Sequence, residues 1–106
     1  MTISTVELSV PDAISVQVSE DTLTVELSDG RMVSAPLAWF PRLVHGTQKE
    51  RGNWRLVGKG QGIHWEDLDE DVSVAGLLAG KASGESRVSF RRWLQKRSRR
   101  RRPERA

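Results

Sequence analysis

The chain contains no cysteine, which excludes disulfide bonds, thiolate metal sites and cysteine nucleophiles. Its only histidines are His45 and His64, so a zinc site has few neutral nitrogen ligands to draw on. No run of about 18 apolar residues is present, and the N-terminal MTISTVELSV lacks the basic and apolar regions of a signal peptide. These absences favour a soluble cytoplasmic protein.

Charge is divided unevenly along the 106 residues. Residues 1–85 contain seven Lys/Arg and thirteen Asp/Glu, whereas residues 86–106 contain ten Lys/Arg and one Glu. This length suits one domain with an appended segment. We therefore expect a compact α+β domain over residues 1–80, a linker over residues 81–85, and a basic amphipathic helix with an arginine-rich tail over residues 86–106.

Alternation of apolar and polar residues predicts short strands in the first third of the chain. The alternating apolar residues are Val6, Leu8 and Val10, then Ile14, Val16 and Val18, and then Leu23, Val25 and Leu27. Asp29-Gly30 predicts a two-residue type I′ turn, which needs positive φ at both central residues and would pair Leu27 with Met32. The strand that follows is expected to end at Pro36.

Short helices are predicted after this group of strands. Pro41 suits the first turn of a helix that ends before Gly46. Thr47 and Glu50 have the spacing of a capping box, which predicts a second helical turn to about Gly52.

Two further strands are expected near residues 54–57 and 63–65, and Ser73 is expected to cap a short helix that Gly80 ends. The predicted fold class is α+β. It has a small antiparallel sheet of five to six short strands, short helices between them and a C-terminal basic amphipathic helix.

The segment GIHWEDLDEDVSV, residues 62–74, has the density of carboxylates that metal sites use. Asp67, Asp69 and Asp71 match the start of a calcium loop, D-x-D-x-D. That loop also needs glycine at its sixth position and glutamate at its twelfth, where this chain has Val72 and Leu78. The sequence therefore predicts no calcium site of this type.

His64-Trp65-Glu66 matches the H-x-E of zinc deaminases, but their metal also needs two cysteines. We therefore expect no catalytic residues, no metal and no cofactor, and we do not expect an enzyme. The carboxylates are interpreted as an acidic surface for a partner, formed by Glu66, Asp67, Asp69, Glu70 and Asp71.

The basic C-terminal segment is the stronger functional signal, because dense guanidinium groups bind polyanions such as DNA or RNA. The residues expected to contact nucleic acid or an acidic partner are Arg91, Arg92, Lys96, Arg97, Arg99, Arg100, Arg101 and Arg102. Phe90, Trp93 and Leu94 share one helical face and are expected to dock onto this domain or onto another protein. That face covers little more than one turn, so a membrane surface is not expected.

Several motifs occur in a recognisable order: D-G-R at residues 29–31, P-L-x-W-F-P-R-L at 36–43, T-x-x-E-R-x-x-W at 47–54, and G-x-G-x-G-I-H-W-x-x-L-D-E-D-x-S-V-x-G-L-L at 58–78. Residues 23–80 thereby resemble the family called domain of unknown function 2442, although Glu66 stands where the family usually has proline. The S-F-x-x-W-L of residues 89–94 resembles the tails of similar members.

The resemblance implies a small α+β domain without assigned catalytic residues. Its genes often lie beside those of a small toxin-like family, so members are candidate antitoxins. Our leading hypothesis is the non-enzymatic antitoxin of a bacterial type II pair, which neutralises a small toxin-like protein and contacts DNA through its tail. The alternatives are a stand-alone nucleic-acid-binding protein and, third, a metal-dependent enzyme using His64, Glu66 and Asp67. The sequence leaves a homodimer open.

Overall fold

The computed structural model describes residues 10–101, except for the side chains of Arg100 and Arg101. Its regular elements, in chain order, are β1 (Ala13–Val18), β2 (Thr22–Leu27), β3 (Met32–Pro36), α1 (Pro41–Val44), α2 (Gln48–Gly52), β4 (Trp54–Val57), β5 (Gly62–Trp65), β6 (Glu70–Ser73), α3 (Val74–Leu78) and α4 (Arg87–Arg101). Single 3-10 turns precede α1 and β5, at Leu37–Trp39 and Gly58–Gly60.

The six strands form two antiparallel sheets, ordered β1-β2-β3 and β4-β5-β6. The α+β class is confirmed, but the expected single sheet is wrong. The strand predicted around Val6 and Leu8 lies outside the described residues. Strand β6 was missed, because its carboxylates suggested a polar approach to a helix. It pairs with β5 because Val72, opposite Ile63, turns into the core, so tertiary packing overrides the poor strand propensity of acidic residues.

The β2–β3 hairpin differs from the predicted type I′ turn. The Gly30 amide donates to the carbonyl of Leu27 at 3.0 Å, and Gly30 has a φ of 93°, whereas Asp29 has no positive φ. This is a three-residue loop, a type I turn followed by a left-handed glycine. The extra residue moves the register by one, so Met32 lies opposite Glu26 and not opposite Leu27.

Strand β1 contains an irregularity between Ala13 and Ser15 that shifts its alternation. Ala13 and Val16 are buried, whereas Ile14 is 51% exposed, so the prediction that Ile14 shares a face with Val16 is wrong. A bulge places two residues opposite one on the partner strand, and here it turns the larger side chain outward.

One hydrophobic core joins both sheets to the short helices. Trp65 is fully buried, and its indole N–H donates to the carbonyl of Arg51 at 2.9 Å. Near the ends of the two sheets, Gly60 has a φ of +89°, and an added Cβ there would lie 2.8 Å from the Cβ of Asp12. Only glycine fits this close approach without strain.

The helix caps follow the sequence expectations. Thr47 and Glu50 form the complete capping box, with bonds of 2.8 and 3.1 Å. The Ser73 hydroxyl accepts from the amide of Gly76 at 2.9 Å, and Gly80 follows α3 with a φ of 72°. Helix α4 begins after Ser86, whose hydroxyl accepts from the amide of Ser89. None of the helices between residues 10 and 101 has the length and apolarity that crossing a bilayer requires.

Candidate functional site: a basic helix beside an acidic turn

Helix α4 is attached to the domain by Arg97. Its guanidinium donates to both carboxylate oxygens of Glu50, at 3.0 and 2.5 Å, and also to the carbonyl of His45 at 3.0 Å. Both side chains of the ion pair are largely buried, at 13% and 15% exposure. The hydrogen bond from Arg97 is the largest cause that lowers the pKa of Glu50, to about 2. Arg97, predicted to contact nucleic acid or an acidic partner, is therefore engaged within the protein.

The aromatic face of α4 packs on the domain itself. The ring centroid of Phe90 lies 5.4 Å from that of His45 and 5.7 Å from that of Trp93. Two guanidinium groups, of Arg42 and Arg97, lie 5.1 and 5.3 Å from the Trp93 centroid, within cation–π range. Trp93 thus packs against the core, and Leu94 is also partly buried. This face was predicted to dock either onto this domain or onto another protein, and in the structure it packs on the domain.

Arg42 is a central residue that the sequence reading missed. It forms a two-bond ion pair with Glu85, and its remaining nitrogen donates to the carbonyl of Asp69 at 2.9 Å. Glu85 in turn accepts from the hydroxyl of Ser89 at 2.7 Å. The amide of Ser83 also donates to the carbonyl of Trp39. Residues 81–85, the expected linker, are thus bonded to the domain at two positions, Ser83 and Glu85.

Residues 66–69 form the loop between β5 and β6, which we call the acidic turn. Leu68 points inward and is fully buried, whereas Glu66, Asp67 and Asp69 remain exposed. Asp69 adopts a left-handed φ of 50°, a conformation that aspartate tolerates better than most residues. The buried side chain of Leu68 therefore fixes the turn so that the three neighbouring carboxylates face solvent.

A row of polar side chains crosses the second sheet at His64. Its Nδ1 lies 2.8 Å from a carboxylate oxygen of Asp71, and its Nε2 lies 3.3 Å from Glu66. Asp67 instead accepts from the side-chain amide of Asn53. In residues 10–101, no group of three or more His, Asp or Glu side chains is arranged to hold a metal ion. Of the residues named for a metal-dependent enzyme, the structure thus places His64 beside Glu66, whereas Asp67 is hydrogen-bonded to Asn53.

Glu70 is less exposed than the other four carboxylates of the predicted acidic surface. Its Oε2 atom is buried and has no hydrogen-bond partner among the described residues. Burial is the largest influence on this carboxyl and raises its pKa, although Arg42 acts in the opposite direction. The strand alternation of β6 turns Glu70 inward while Asp71 stays exposed.

Replacing Glu70 with glutamine is expected to stabilise the protein by about 1 kcal/mol at neutral pH, because it removes a half-buried charge whose Oε2 has no hydrogen-bond partner among the described residues. Because the pKa of Glu70 is raised in the folded state, its carboxylate destabilises the fold only at pH values where the group is ionised in the unfolded chain. The gain should therefore vanish in acid, below the usual glutamate value of 4.5. Urea titrations across this pH range would measure it. Glu26→Gln is the matched control, since Glu26 is exposed on β2, and it should change stability little.

The remaining residues predicted to contact nucleic acid or an acidic partner fall into two groups. Among those with described side chains, the ones exposed to solvent are Arg91, Arg92, Lys96 and Arg99. Arg87, the first residue of α4, is also exposed and was missed because the predicted set began later. Within residues 10–101, none of these five cations forms an ion pair with the protein. The side chains of Arg100 and Arg101, and all of Arg102, lie outside what the structure describes.

An open groove of about 790 Å³, which we call the charged groove, separates α4 from the acidic turn. Glu66, Asp67 and Asp69 line it from the turn, and Arg92 and Lys96 line it from the helix. The two elements therefore present opposite charges to one shared space, whereas Arg87 and Arg91 do not line it.

A family model described as "Protein of unknown function (DUF2442)" matches residues 13–83. A crystal structure of a protein of unknown function from Rhodospirillum rubrum is similar, with a TM-score of 0.63 and 28% identity over 73% of this chain and 95% of that one. A solution structure of an uncharacterized protein from Chromobacterium violaceum has a TM-score of 0.60 and 23% identity, over 89% and 81% of the two chains, and shares the fold. No protein with a curated description matches.

Proposed function

The chain belongs to the DUF2442 family of proteins of unknown function, and from this premise we propose that it is a non-enzymatic binding protein that contacts duplex DNA through α4. The observation that supports this role is the set of exposed cations on α4 that form no ion pair within the described part of the chain. Such cations are free to replace the counterions of a phosphate chain.

The attachment of α4 strengthens this proposal. Because Arg97 and Trp93 bind the helix to the domain, its cations need not lose the conformational freedom of a detached tail when they bind. An α-helix fits the major groove of B-form DNA, whereas the deep and narrow major groove of duplex RNA excludes it. An anchored basic helix therefore favours DNA over RNA.

Fluorescence anisotropy of the full chain with a labelled DNA duplex of about 20 base pairs tests this role. We expect binding at low salt, with log affinity falling linearly against log salt at a slope of magnitude at least about 2. Duplex RNA of the same sequence should bind more weakly. No DNA binding at about 50 mM salt would refute the proposal, and equal or tighter binding of the RNA would refute the preference for DNA.

A role as the antitoxin of a type II pair is the second candidate, favoured by the exposed acidic turn. Three unburied carboxylates within four residues complement a basic protein surface and would speed association with it. Helix α4 and the acidic turn would then each contact a different partner.

Co-expression with the product of the adjacent gene tests this second role. We expect a complex that survives purification at low salt and restores growth, and that Glu66→Gln together with Asp67→Asn weakens. Failure to form a complex or to restore growth would argue against an antitoxin, and would leave the DNA proposal unaffected.

A further inference from the structure

Helix α4 carries two pairs of cations with the same internal spacing. Arg87 and Arg91 form what we call the outer pair, and Arg92 and Lys96 form the groove pair. Within each pair the residues are four apart, which places them one turn and about 6 Å apart along the axis. All four side chains are exposed. By spacing and accessibility alone, the two pairs are equally suited to contact phosphates.

Their surroundings differ. The groove pair lines the charged groove together with the three exposed carboxylates of the acidic turn, whereas the outer pair does not line it. Successive helical residues are about 100° apart, so each residue of the outer pair points more than about 90° away from each residue of the groove pair. The outer pair therefore faces a different region of solvent.

A phosphate chain entering the charged groove would meet Glu66, Asp67 and Asp69 as well as the groove pair. The groove lining carries four cations (Arg42, Arg92, Lys96 and Arg97) and four carboxylates (Glu50, Glu66, Asp67 and Asp69), so it offers a polyanion no net positive charge. These interactions act within a Debye length of about 8 Å at physiological salt. Along the outer pair no such opposition arises from the carboxylates of the acidic turn. The charge distribution therefore makes the two pairs unequal for a polyanion.

We infer that DNA phosphates lie along Arg87 and Arg91, and that the acidic turn excludes them from the charged groove. This inference rests on the proposed DNA-binding role and adds the binding face and its orientation. The acidic turn then acts as an intramolecular competitor, since its carboxylates lie across the charged groove from the groove pair and restrict the duplex to one side of α4.

Two double variants with equal changes in net charge test this inference in the full chain. Arg87→Ala with Arg91→Ala is expected to weaken binding of a DNA duplex about tenfold or more at moderate salt, and to reduce the magnitude of the salt slope by about 2. Arg92→Ala with Lys96→Ala is expected to weaken it less than about threefold and to leave the slope nearly unchanged. Because both doubles remove two cations, overall charge cannot explain a difference between them.

A third variant, Glu66→Gln with Asp67→Asn and Asp69→Asn, tests the role of the acidic turn. It should raise DNA affinity, and in this background loss of the groove pair should become as costly as loss of the outer pair. Circular dichroism should show the same helical content in all variants, because every altered side chain is exposed.

The outcomes separate the inference from the function that it rests on. Equal losses from the two doubles in the otherwise natural chain, or no gain in affinity from the third variant, would overturn the inference while leaving DNA binding intact. A natural chain that does not bind DNA at low salt would overturn both.

Discussion

Trp65→Ala is expected to lower the free energy of unfolding by about 3–5 kcal/mol, because removal of a large buried aromatic side chain leaves a cavity in the core. Trp65 is fully buried on β5, between β4 and β6. A domain of this size has a total stability of about 5–15 kcal/mol, so the variant should unfold at a much lower urea concentration. Far-UV circular dichroism in urea measures the change without depending on tryptophan fluorescence.

Two further variants show which interactions of Trp65 account for the lost free energy of unfolding. Trp65→Phe keeps an aromatic ring in the core but removes the N–H that donates to the carbonyl of Arg51. It should lower the free energy of unfolding by roughly 1–3 kcal/mol. Ile14→Ala, at a site that is 51% exposed, should cost less than about 1 kcal/mol. If Trp65→Ala cost no more than Ile14→Ala, the core position of Trp65 would be wrong.

Arg97→Ala is expected to detach α4 and to cost about 2–3 kcal/mol, because it removes a largely buried ion pair that also bonds the carbonyl of His45. This substitution is cleaner than Glu50→Ala, which would also destroy the capping box of α2. Hydrogen exchange should show faster exchange of α4 amides while sheet amides stay protected. Unchanged exchange in α4 would contradict the role of this contact as the attachment.

The effect of Arg97→Ala should depend on pH in a defined direction. A carboxyl with a folded-state pKa lowered from 4.5 to about 2 contributes stability above its unfolded value and loses it as pH falls. The difference between natural and variant chains should therefore be full above about pH 5 and decline toward about pH 2. Arg92→Ala removes an exposed cation from the same helix and should show neither the stability loss nor this pH profile.

Local chemistry made much of the fold predictable. The capping box of Thr47 and Glu50, the hydroxyl cap of Ser73 and the end at Gly80 depend on residues a few positions apart, and all three were predicted correctly. The register of the β2–β3 hairpin was predicted wrongly, because Asp-Gly occurs in both two- and three-residue loops. The number of residues in that loop depends on how the strands pack over the core, which short-range patterns do not encode.

The site was predicted less completely, because its main contacts join distant parts of the chain. Arg97 and Glu50 are separated by 47 positions, and Arg42 and Glu85 by 43. No periodicity shows which arginine of a dense run will turn back onto the domain. Burial of Glu70 was missed for the same reason, since strand β6 exists only through its pairing with β5.

The bond between Arg42 and Glu85 has a consequence for deletion experiments on this protein. A chain cut after Gly84 loses the basic helix, but it also leaves the guanidinium of Arg42 without Glu85 and without the indole of Trp93. Loss of DNA binding by such a truncated protein would therefore have two possible causes, the missing basic helix and the altered surface of the domain. Point substitutions of the outer pair, Arg87 and Arg91, remove cations without breaking these contacts. For the same reason, a fusion partner or label is better placed after α4 than between residues 80 and 86.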